Sequence, residues 1–192
     1  MSSILKVGEI QDPTNGNTAL SIATDGKVTG SVNDSRQCIM GFMRTSGVAG
    51  DQNPVPGFVN MATQLSGDAA GEITRGGSVT FDSGIFSVPF TGLWSVEYFV
   101  TVNAAGGDTT IQCSIRTSQN AGTNYSTIVQ AKESAPGASN KCQMSLKAFW
   151  KVTNVANDKL KFAHTSFSSH TAEGSTTEAL TYCLFTWMGD AD

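Results

Sequence analysis

Residues 77–102 read GSVTFDSGIFSVPFTGLWSVEYFVTV, two hydrophobic runs joined through Val-Pro-Phe-Thr-Gly. In the first run Phe86, Val88 and Phe90 alternate with smaller or polar residues. In the second, Trp94, Val96, Tyr98, Val100 and Val102 alternate with Leu93, Ser95, Glu97, Phe99 and Thr101. Every second side chain of an extended backbone points the same way, so this period of two predicts strands buried on at least one face. Pro89 has no amide proton to offer a neighbour and marks a strand edge or a bulge. Gly92 can take the backbone conformation that a turn between strands needs. Nothing in the stretch is catalytic.

Working outward, strands are predicted at 109–117, 126–133, 141–152, 159–167 and 179–188, separated by turns rich in Gly, Asn and Ser. The pattern is clearest at 141–152. There Cys142, Met144, Leu146, Ala148, Trp150 and Val152 point one way, and Lys141, Gln143, Ser145, Lys147 and Lys151 the other. Phe149 interrupts the polar side, and a large aromatic in that position is a candidate contact for a second subunit or a ligand. Residues 36–44 are apolar on both sides, with Cys38, Met40 and Phe42 opposed to Ile39 and Met43. Such a strand is central or at an interface, which makes Ile39 and Met43 interface candidates with Phe149. Residues 45–77 form a long Gly- and Pro-rich connection. It reads equally as a binding surface, a strap over a neighbouring subunit, or a surface excursion with short strands such as 57–61.

Composition points to the same all-β class. A length of 192 residues suffices for one domain with a proper core. Charged residues make up 15%, against roughly 25% in average globular chains, and no segment keeps a convincing helical period. A net charge of -4 with scattered basic residues argues against nucleic-acid binding. No apolar run is long enough to insert in a membrane, and the opening Met-Ser-Ser-Ile-Leu does not read as an export signal. Cys38, Cys113, Cys142 and Cys183 are distant from one another and fall within strands, which suits buried, reduced thiols rather than a zinc site.

No catalytic constellation emerges. Neither His164 nor His170 accompanies a Gly-x-Ser-x-Gly elbow. His164, on the apolar side of 159–167, reads as a core histidine, and His170 as part of a solvated loop. Glu97 is the only mid-strand carboxylate, so a glycosidase pair is not evident. Gly106-Gly107-Asp108 is a turn tip whose single carboxylate is no calcium cage. We therefore expect a protein that is not an enzyme and has no cofactor or metal.

Phe86, Val88, Pro89, Gly92 and Trp94 spell F-x-V-P-x-x-G followed by an aromatic. Asn157-Asp158-Lys159-Leu160 supplies a polar turn before the penultimate strand, and 179–188 closes the pattern. Together, over residues 77–188, these resemble the C1q/TNF-like domain. The resemblance implies an antiparallel two-sheet jelly-roll sandwich assembled as a homotrimer, with 36–44 as the first strand of its inner sheet, near the subunit contact.

Ahead of it, residues 1–33 hold short alternating pieces broken by Asn15-Gly16 and Asp25-Gly26 turns. Their opening, I-L-K-V-G-E-I-Q-D, resembles the start of tail-fibre and other virion-surface proteins of tailed phages; an ordinary N-terminal hairpin is the alternative. This resemblance implies that residues 1–33 dock and 34–192 form the jelly roll. Ile4, Leu5, Val7 and Ile10 would then anchor the chain to other virion proteins, while Gly106, Gly107, Asp108, Ser169 and His170 face outward, toward a host-surface glycan. The expected function is a trimeric tail-fibre or receptor-binding component on the virion exterior. A head-decoration or head-fibre protein comes next, and a secreted lectin-like or cytokine-like module third.

Overall fold

The computed structural model describes residues 9–11, 18–22, 28–29, 38–61, 74–105, 110–135, 137, 140–167 and 169–190. Every named element among them is a strand. The chain divides into two compact units, Met1–Arg36 and Gln37–Asp192. In the first, β1 (Glu9–Gln11), β2 (Thr18–Ile22) and β3 (Val28–Thr29) form a small antiparallel sheet in that order, with Ile10 opposite Leu20. Ile4, Leu5 and Val7 lie outside the described residues.

The second unit contains two antiparallel sheets. One is built from β4 (Cys38–Arg44), β5 (Val48–Ala49), β6 (Phe58–Asn60), β7 (Thr74–Gly76), β10 (Gly92–Ala104), β13 (Lys141–Val152), β15 (His170–Ala172) and β16 (Tyr182–Gly189). The other runs in the order β12 (Ser126–Ser134), β11 (Thr110–Ser118), β14 (Lys159–Thr165), β9 (Ile85–Ser87), β8 (Thr80–Asp82). β10 is the spine of the first sheet. It pairs with β13 from Gly92↔Val152 to Asn103↔Lys141, while its other edge is shared by β16 along Leu93–Phe99 and β15 along Val102–Ala104. β16 in turn pairs with β4, which pairs with both β6 and β7.

The alternation in sequence is the alternation in burial. Trp94, Val96, Tyr98, Val100 and Val102 are buried, and so are Met144, Leu146, Ala148, Trp150 and Val152 across the β10–β13 pair. Ile111, Cys113, Ile115, Leu160 and Phe162 meet them from the second sheet. Phe86 lies centrally, its ring centroid 5.2 Å from Phe42, 5.6 Å from Phe58, 5.3 Å from Phe162 and 5.0 Å from Phe185. Aromatic contacts of this kind contribute about 0.5–1.5 kcal/mol each beyond the area they bury.

Two connections hold β10 and β14 in place. Gly92 has φ +122°, and a Cβ there would lie 2.3 Å from the Gly189 carbonyl oxygen, so only glycine lets β10 and β16 approach. Pro89 falls between β9 and β10, where no ladder bond requires its missing amide. Before β14, the buried Asp158 carboxylate accepts from the Thr153 N–H (2.6 Å), the Asn154 N–H (2.9 Å) and the Thr153 hydroxyl (3.2 Å), closing the polar turn.

The described parts of 45–77 include short strands, β5, β6 and β7, and residues 62–73 lie outside the described residues. Part of it runs alongside β14: Gln52 exchanges backbone bonds with His164 (3.1 and 2.8 Å), and the Val55 N–H donates to Phe162 (2.9 Å). The strand predicted at 159–167 stops at Thr165 because Ser166 takes φ +61° and turns Phe167 into the core. All four cysteines lie in strands as free thiols, with Cys38, Cys113 and Cys183 buried. Burial pushes the Cys38 thiol up to about 11 and raises the other three.

Candidate interaction surface

A polar cluster of His164, Tyr98 and Arg44 lies in the interior. His164 is fully buried, and its Nε2 lies 2.6 Å from the Tyr98 hydroxyl across the sandwich. Its ring stacks on Phe167 (4.5 Å) and Tyr98 (6.0 Å). Burial first, and then the Arg44 guanidinium, push the His164 pKa down to about 3, so the ring is neutral at physiological pH. Burial also raises Tyr98, which stays a phenol. Arg44 itself is only 3% exposed and donates from Nη2 to the Ser46 carbonyl at 3.1 Å. His164 is the core histidine its position in the strand suggests. No group of three His, Cys, Asp or Glu among the described residues is arranged to hold a metal.

His170 is not on a solvated loop. It is fully buried on β15, where pairing with Ala104 brings it to the inward side and its Nδ1 accepts the Ala105 N–H at 3.3 Å. It therefore cannot face outward, whereas the adjacent Ser169 is exposed. Gly106, Gly107 and Asp108 lie outside the described residues.

The outward side of the eight-stranded sheet is organised in rows that cross it. One row runs Phe149, Ser95, Thr186, Ile39 across β13, β10, β16 and β4. Phe149 is 60% and Ile39 40% exposed, with two small residues between them. The next row is Lys147, Glu97, Leu184, Gly41, in which the Lys147 ammonium meets the Glu97 carboxylate at 2.6 Å. The third is Ser145, Phe99, Tyr182, Met43, Val59. Phe99 and Tyr182 stack at 4.6 Å, beside a groove of about 440 Å³ lined also by Thr101, Gln143 and Leu180. Met43 is fully buried between its row neighbours Tyr182 and Val59, so it is not available to a partner; the interface expectation is left with Phe149 and Ile39. Met188, at 55% exposure on β16, adds to the uncovered apolar area.

The fold class is therefore an all-β, two-sheet antiparallel jelly roll of the TNF-like kind. Among solved structures the chain is similar to the Eiger TNF of S. frugiperda, at 15% identity and a TM-score of 0.60, over 81% of this chain and 95% of that one. It is likewise similar to murine APRIL at pH 8.5, at 12% identity and a TM-score of 0.55, over 79% and 99%. At these identities the likeness establishes the fold. No protein-family model matches the sequence, and no curated protein does.

Phe149 announced itself in the sequence by breaking an alternation. That it shares a row with Ile39, and that Phe99 stacks on Tyr182, follow from the register of strands distant in the chain.

Proposed function

We propose that this chain is a non-catalytic binding protein that works as a homotrimer, joined through the outward side of the β13–β10–β16–β4 sheet. The observation that carries this reading is the row Phe149, Ser95, Thr186, Ile39, in which exposed apolar side chains stand on either side of two small ones. Exposed apolar area of this kind is stabilised when another surface covers it, and a heterologous contact that closes into a ring leaves none of it free. The TNF-like fold supports closure with three copies.

The setting we propose is the exterior of a tailed-phage virion, with the trimer serving as a tail fibre or receptor-binding component that attaches to a host-surface glycan. The I-L-K-V-G-E-I-Q-D opening supports this, as does the separation of Met1–Arg36 as its own compact unit. A sheet of three very short strands gains stability by docking on another protein. A head-decoration or head-fibre position is the same reading moved to the capsid. The likeness to Eiger TNF and APRIL favours a second reading, a cytokine-like binding module.

Light scattering tests assembly directly. The full chain is expected at three times its 20.1 kDa, and Phe149→Glu at the monomer mass; a native monomer would sink the reading. The virion setting is tested by antibody labelling of tailed particles in electron micrographs. Particles that carry no label would leave the cytokine-like module standing.

A further inference from the structure

The second sheet turns to solvent a like-charge pair for which its packing gives no reason. Arg116 on β11 is paired directly with Lys161 on β14, and like charges opposite each other weaken a strand pair. No carboxylate among the described residues lies within ion-pair distance of either. Arg116 donates from Nε to the Ser114 hydroxyl at 3.2 Å, and its outer nitrogens have no partner among the described residues. The Lys161 ammonium lies 3.9 Å over the Tyr125 ring, whose hydroxyl is buried close to Gly122 with no partner among the described residues. Next to it the Lys159 ammonium donates to the Ser87 hydroxyl (2.9 Å) and the Val155 carbonyl (3.0 Å).

From Lys159 and Tyr125 a hollow of about 330 Å³ extends past Ser87, Thr80 and Ser83 to Asp82, which accepts a bond from the Ser83 hydroxyl at 2.9 Å. Its lining is thus rich in hydroxyls and its size is at the small end of ligand sites; within it Lys159 is matched by Asp82, and the further cations are Arg116 on β11 and Lys161 on β14. The chain as a whole carries -4, so these cations gather against the average of the composition. Beyond about 8 Å in physiological salt the remote acidic charge is screened, and the local field is the one that a ligand meets.

We propose that this surface binds an acidic saccharide. A uronate carboxylate would sit between Arg116 and Lys161, where a guanidinium takes it with two parallel hydrogen bonds and the cation–cation repulsion is relieved. The sugar hydroxyls would occupy the hollow at Lys159, Tyr125 and Ser87. The proposal rests on the host-glycan reading above and gives it a site and a ligand class.

Calorimetric titration of the full chain with galacturonate oligomers, neutral galactose oligomers and single-stranded DNA tests it, at low salt and at about 0.15 M. The galacturonate oligomer is expected to bind at low salt, more weakly as salt rises, and at least about tenfold more tightly than the neutral oligomer. Arg116→Gln combined with Lys161→Gln is expected to lower that affinity by at least about tenfold, while Lys151→Gln on the other sheet leaves it unchanged. The double variant is expected to melt no lower than the native chain, because a repulsive contact has gone. Galacturonate binding that the double variant retains, DNA bound as tightly, or no galacturonate binding at all would each overturn the site. Native chain that instead takes a neutral bacterial polysaccharide, with the double variant equal to it, discards this site and keeps the glycan reading. Native chain that takes no polysaccharide from a panel discards both.

Discussion

His164 shows how far one side chain can set the acid response of a fold. Its pKa is about 3 in the folded chain and about 6.5 when unfolded, so as pH falls the unfolded chain takes up the proton first. Stability is therefore unaffected above about pH 6.5, and lost below it by up to about 1.4 kcal/mol per pH unit until about pH 3. Urea unfolding at pH 7 and pH 5 measures this, and His164→Gln is expected to flatten the difference. An unchanged slope in that variant would assign the acid loss to other groups. Asp158 acts locally instead. Asp158→Ala leaves two backbone N–H groups and a hydroxyl without their acceptor, and is expected to cost about 3 kcal/mol in thermal unfolding. A loss under about 1 kcal/mol would mean that the turn closes without the carboxylate.

The long strands could be read from the sequence because their alternation is local. In β10 and β13 each inward residue was identifiable from its neighbours two positions away, and the predicted 141–152 coincides with the observed strand. β5, β7 and β15 hold two or three residues each, too few to show a period. His170 looked like a loop residue for that reason: its strand exists through pairing with β10 and β5, both distant in the chain. The interaction surfaces were less legible still. Phe149 with Ile39, and Arg116 with Lys161, become neighbours through register between strands, which no window of sequence contains. Gly92 was legible as a turn residue, but its contact with the Gly189 carbonyl was not. That contact yields a comparison between two positive-φ glycines. Gly50→Ala, with φ +75° and open space around it, is expected to lose about 1–2 kcal/mol of backbone energy. Gly92→Ala is expected to lose at least about 3 kcal/mol, because strain and overlap add. Equal urea midpoints for the two variants would show that β10 and β16 move apart without penalty.

At the scale of the molecule, the two sheets present different chemistry outward: apolar rows crossing β13, β10, β16 and β4, and cations on β11 and β14. In the proposed trimer the first is covered and the second remains open to a ligand. Assembly then makes stability depend on concentration. The melting temperature of the native chain is expected to rise with protein concentration, and that of Phe149→Glu to stay constant. A copy lacking residues 1–36 is expected to remain trimeric by light scattering, since the apolar rows belong entirely to the second unit.

β16 sits between β10 and β4, and this placement also governs how the protein is made. Tyr182–Gly189 is the last of the described strands to leave the ribosome, yet β4, the first strand of its unit, has no neighbour on that edge until it arrives. The backbone groups of β4 on that edge thus stay unpaired through most of synthesis. The β11–β12 hairpin, joined by a short loop, can close early. The eight-stranded sheet cannot, and a chain that stops short of β16 keeps open strand edges on β4 and β10 where another chain can pair.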